Sequence, residues 1–69
     1  MDIKLSEILS GVKYKVLENF DDCVIIELDR FEYDMSVIVD LCEKFSIQGY
    51  GVRLVSVTDK YRIEICNII

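Results

Sequence analysis

Three cysteines, thirteen carboxylates and no histidine make up most of the reactive inventory of this 69-residue chain. Nucleophilic cysteine chemistry needs a neighbouring base, and the usual imidazole is missing. Cys23, Cys42 and Cys66 also lack the paired C-x-x-C spacing of a zinc site. They are odd in number and widely spaced, unlike the dense, even sets of disulfide-stapled secreted domains. The expectation is three reduced thiols packed as small hydrophobes, with no intramolecular bridge; Cys23 and Cys66 are the pair most at risk of forming one. Asp21 and Asp22 are adjacent carboxylates, but a solvated loop does little to separate their pKa values for acid–base work. Gly49-Tyr50-Gly51 precedes a strand and lacks the lysine and serine of a phosphate loop, so it reads as a turn. Asp29–Asp34 resembles a calcium loop in its acids but lacks the central glycine. No catalytic group, metal or cofactor is expected, and the chain is read as not an enzyme.

Charge is more informative. The formal net charge is −5, and residues 18–34 hold seven acids against Arg30 alone, −6 in 17 residues. Such a sector repels phosphate backbones and attracts basic surfaces, so direct binding to nucleic acid is disfavoured. Within it Asp29-Arg30-Phe31-Glu32-Tyr33-Asp34 interleaves two aromatics and an arginine with three acids. Aromatic residues and arginine dominate binding hot spots, and surrounding acids steer a basic partner. The competing reading folds Phe31 and Tyr33 back onto the core as a hydrophobic staple. The candidate partner-binding set is Glu18, Asp21, Asp22, Asp29, Phe31, Glu32, Tyr33 and Asp34.

These residues must be positioned by a small number of elements. Leu5, Ile8, Leu9 and Val12 recur at helical spacing, predicting a short helix over 3–10, capped by Asp2 and ended by Gly11. Alternation predicts a strand over 12–17, with lysines suited to a sheet edge, and a second over 23–29 after the polar loop 18–22. Asp34 is placed to cap a helix from Met35 to Phe45, whose apolar stripe is Val37, Ile38, Leu41, Cys42 and Phe45. Strands over 51–57 and 61–66 then form a hairpin across Thr58-Asp59-Lys60.

The order α-β-β-α-β-β predicts one α+β domain over residues 1–69, a two-layer sandwich. Both helices cover one face of a four-stranded, mainly antiparallel sheet. The strand at 61–66 is expected beside 23–29 and parallel to it, with 12–17 and 51–57 as edges, a permuted ferredoxin-like arrangement. The expected core is Leu5, Ile8, Leu9, Tyr14, Val16, Val24, Ile26, Leu28, Val37, Ile38, Leu41, Phe45, Leu54, Ile63 and Ile65. No run of 18 apolar residues is present, and the first residues lack the basic-then-apolar pattern of a secretory leader, so a cytoplasmic setting without membrane contact is expected. The functional expectation is a small acidic inhibitor or adaptor that occupies a basic, nucleic-acid-binding surface of another protein, in the manner of phage or mobile-element anti-defence proteins. The alternative is a structural or regulatory homo-oligomer, a homodimer for instance, pairing through its open sheet face or an edge.

Overall fold

A computed structural model of the chain describes residues 3–68. Six elements follow in order: α1 (Leu5–Ile8), β1 (Lys15–Asn19), β2 (Cys23–Asp29), α2 (Met35–Ile47), β3 (Tyr50–Val57) and β4 (Lys60–Asn67). The expected cap at Asp2 lies outside the described residues. Gly11 closes the first helical segment at φ +77°, with the Val12 N–H donating to the Leu9 carbonyl, as the glycine's position requires. The helix proper is a single turn, too short to persist without the packing of Leu5, Ile8 and Leu9 on the core.

The sheet order is β1-β2-β4-β3, as expected, and every neighbouring pair is antiparallel. The expected parallel pairing of β4 with β2 is overturned by chain logic. The α2 crossover returns the chain so that β3 runs parallel to β2, two positions away. The two-residue turn Thr58-Asp59 then reverses it, so β4 inserted between them opposes both. Strand β1 starts three residues later than its alternation suggested and carries a register shift between Val16 and Glu18. Leu17 is the extra residue of a bulge, which breaks the period-two reading.

Leu9, Val24, Ile26, Leu28, Ile38, Leu41, Phe45, Tyr61, Ile63 and Ile65 form the buried core. Alternation is clean along β2 and β4, whose inner residues lie under the helices. Leu5, Ile8, Tyr14 and Leu54 pack at its margin. Val16 and Val37 do not join the core and are exposed. Helix α2 sits over β3 and β4, and the inner face of edge strand β1 has no helix of its own above it.

The cysteine expectation is also corrected. Cys23 and Cys66 stand directly opposite on β2 and β4 and form a disulfide, leaving Cys42 as the free thiol. The bridge joins residues 43 apart. A chain-entropy estimate gives a loop of that length about 4 kcal/mol of stabilisation. A domain with so small a core is the kind that needs such a staple.

Candidate functional site

The eight candidate residues fall into two groups at opposite ends of β2. Glu18, Asp21 and Asp22 lie at the β1–β2 turn, exposed, beside the disulfide. The Asp22 carbonyl accepts the Asn67 N–H at 2.9 Å, tying that turn to the end of β4. Asp29, Phe31, Glu32, Tyr33 and Asp34 lie at the other end, between β2 and α2. Seven strand residues at about 3.3 Å each separate the groups by about 20 Å. The eight therefore do not form one patch.

The second group is built around a tied-down turn. The Asp29 carboxylate accepts the Phe31 N–H at 2.8 Å, and the Asp29 carbonyl accepts the N–H groups of Glu32 and Tyr33. Arg30 turns back onto the β3–β4 hairpin. Its N–H donates to the Asp59 carbonyl, its guanidinium donates to the Thr58 carbonyl at 3.1 Å and reaches Ser56 Oγ, and it lies over the Tyr61 ring at 5.8 Å from the centroid. The Tyr33 hydroxyl accepts the Lys13 N–H at 2.7 Å while its ring packs on the core margin. The two readings of the aromatic pair are thus divided between its members: Tyr33 folds back, and Phe31 stands out at 85% exposure. Met35, 48% exposed in the first turn of α2, extends the apolar surface. Sequence reading passed over Met35, although its position outside the buried stripe of α2 was a usable signal.

Ion pairing thins the acidic sector. Lys13 pairs with Glu32 at 3.4 Å, Lys60 with Asp29 at 3.7 Å and Arg62 with Glu27 at 3.3 Å. These are exposed or half-exposed contacts worth little to stability, but each brings a positive charge beside an acid. Glu18, Asp21, Asp22 and Asp34 remain exposed. Asp34 holds the N-cap position of α2 with extended backbone, and its carbonyl, not its side chain, receives the first helical N–H groups.

The uncovered sheet face is a lattice of charges. Reading across β1, β2, β4 and β3, Lys15, Glu27, Arg62 and Val55 share one row, and Glu18, Ile25, Glu64 and Arg53 share the next. Across the central strands Glu27 stands opposite Arg62 and Asp29 opposite Lys60, cross-strand pairs that suit a solvated antiparallel face. Lys13, Lys15, Lys60, Glu27, Asp29 and Glu32 line an open depression of about 210 Å³. Its cations already face carboxylates. Among the described residues no cluster of His, Cys, Asp or Glu is arranged to hold a metal. Burial raises the Cys42 thiol above its ordinary pKa, which keeps it protonated and weakly nucleophilic at neutral pH. Among the described residues no helix is long and apolar enough to cross a membrane.

Compared with known proteins, the chain matches no family model, no curated protein and no solved structure.

Proposed function

We propose that this chain is a non-catalytic protein-binding module, an inhibitor or adaptor that occupies a basic surface of its partner, with Phe31 as the anchor. The observation that carries the reading is the contrast within one turn: Arg30 and Tyr33 are both tied to the body of the domain, and Phe31 between them is held out in water. A large aromatic side chain displayed on a pre-ordered turn loses little conformational freedom on binding. Glu32 and Asp34 flank it, so the fitting partner site is an apolar pocket rimmed by lysine or arginine. A nucleic-acid-binding surface of a host nuclease or defence complex, blocked in the manner of a phage or mobile-element anti-defence protein, is one such surface, with Glu18, Asp21 and Asp22 making a second, more distant contact.

Pairing through the open sheet face is the less supported reading. Ile25, Val55 and Val57 there each share a row with charged residues, and covering the Glu27–Arg62 pair would strip it of water. A cytoplasmic setting belongs to the proposal only with Cys23 and Cys66 reduced in that compartment; thiol trapping in intact cells reads this directly.

The test replaces Phe31 with a photo-reactive phenylalanine analogue, identifies the cross-linked partner, and measures its affinity for wild type and Phe31→Ala. A loss of tenfold or more is expected, about 1.4 kcal/mol or more, with Glu32→Lys/Asp34→Lys weakening binding chiefly at low salt. Equal affinity for wild type and Phe31→Ala would reject the anchor.

A further inference from the structure

The two edges of the sheet are built differently. Strand β1 is short, bulged between Val16 and Glu18, and carries Lys15 and Glu18, all devices that discourage another strand from pairing. Strand β3 is neither short nor bulged, and its one charge is Arg53. It is eight residues long, regular in register along its whole length, and holds neither lysine nor proline. Among the described residues no strand lies beyond it. Alternate residues of an antiparallel strand turn their N–H and C=O groups to opposite sides. The two-residue turn makes Val57 and Lys60 the bonded pair that closes the hairpin. Val52, Leu54 and Ser56 therefore present their backbone groups to the free edge.

Their side chains point to the helix layer, where Val39, Cys42, Glu43 and Ser46 of α2 form the opposite wall of a groove of about 320 Å³ with Val52 and Leu54. Val39 is 44% exposed there. The groove is apolar except for Glu43 and Ser46 toward its far end. Arg53, the one charge on β3, lies on the outer sheet face opposite Glu64 and does not enter the groove.

We propose that the β3 edge accepts an extended segment of a partner protein as a fifth strand. On its groove-facing side that segment carries aliphatic residues at alternate positions, and a lysine or arginine that reaches Glu43. Main-chain bonds to Val52, Leu54 and Ser56 supply affinity, and the groove supplies selection. A second copy of this chain fits less well, since it brings another net −5 and another Glu43 to the same edge. This surface is separate from the Phe31 turn and stands whether or not that turn binds a partner.

The probe is a capped heptapeptide, Thr-Val-Thr-Val-Thr-Lys-Thr, titrated into the isotope-labelled protein while amide shifts are followed. Saturable shifts are expected at Val52, Leu54 and Ser56. Two further peptides carry N-methyl groups on either the odd or the even residues. Strand addition predicts that one set abolishes binding and the other leaves it within about twofold, because only alternate N–H groups face β3. Replacing the peptide lysine by glutamate should weaken binding fivefold or more, as should Val39→Lys, an exposed-site change that leaves the fold in place. Phe31→Ala should bind the peptide like wild type. The proposal is overturned by the absence of saturable shifts at these three amides, by equal effects of the two N-methyl sets, or by light scattering that shows a dimer with the β3 amides protected.

Discussion

The two ends of the sheet carry similar acids in sequence and are held together in opposite ways. At the β1–β2 turn, Asp21 and Asp22 sit beside a covalent bridge between β2 and β4. At the other end, Asp29, Glu32 and Asp34 surround a turn held by hydrogen bonds, ion pairs and the Arg30–Tyr61 contact. The covalent end presents Phe20 beside its exposed carboxylates at 54% exposure; the latched end presents Phe31 at 85%. What distinguishes the second end is the fuller exposure of its aromatic residue, carried on a turn whose Arg30 and Tyr33 are tied to the body of the domain.

Breaking the covalent end should have the largest effect. Cys23→Ser/Cys66→Ser removes about 4 kcal/mol by the loop-closure estimate, a large share of the stability of so small a domain. Chemical denaturation of oxidised wild type against the double variant measures it. Thiol titration of the oxidised, denatured protein should find one free thiol, Cys42; three would show that the bridge does not form. Leu41→Ala tests the core that both ends share. Leu41 is buried on the inner face of α2, and truncating such a leucine costs about 3 kcal/mol, near the middle of the usual range. A midpoint shift of only a degree or two would place that face of α2 outside the core.

Loosening the latched end should cost less stability and more binding. Arg30→Ala removes the bonds to Thr58 and Ser56 and the ring contact, about 1–2 kcal/mol together. Its informative readout is partner affinity, which should fall although Phe31 itself is intact; unchanged affinity would show that ordering of the turn is irrelevant. Reversal of Glu32 and Asp34 should weaken binding more than reversal of Asp21 and Asp22, with the folding midpoint nearly constant in both. The reverse ranking would move the site to the disulfide end. The smallest effect belongs to Thr58, a β-branched residue at φ +37° in the hairpin turn. Thr58→Gly relieves the left-handed strain and should stabilise by about 0.5–1 kcal/mol, readable as a rise of a few degrees in Tm. A drop in Tm would show that the turn tolerates threonine at no cost.

Local pattern determined most of the elements. The alternation of 23–29 predicted β2 to the residue, because each residue's face follows from a period of two and that strand carries no inserted residue of its own. Of the stripe Val37, Ile38, Leu41, Cys42 and Phe45, the structure buries Ile38, Leu41 and Phe45, half-buries Cys42 and leaves Val37 exposed. Where the period is broken by an inserted residue, as at Leu17, the pattern misplaced the boundaries of β1. The strand order was legible too. The direction of β4 was also implicit in the two-residue turn before it, and the expected parallel pairing failed because that constraint was not applied.

Other properties depended on residues far apart in sequence. Cys23 and Cys66 pair because the register of β2 against β4 puts them opposite each other, and spacing along the chain carries no register. Phe31 and Tyr33 are two residues apart, with Glu32 between them and similar aromatic side chains. Tyr33 finds the Lys13 backbone twenty residues away and turns inward; Phe31 has no polar group to make such a bond and is left outside. Composition determined that this chain carries excess negative charge. Only the tertiary structure decided which carboxylates face cations and which face water, because Lys13, Lys60 and Arg62 reach Glu32, Asp29 and Glu27 across the fold, and a charge is screened by what lies near it in space.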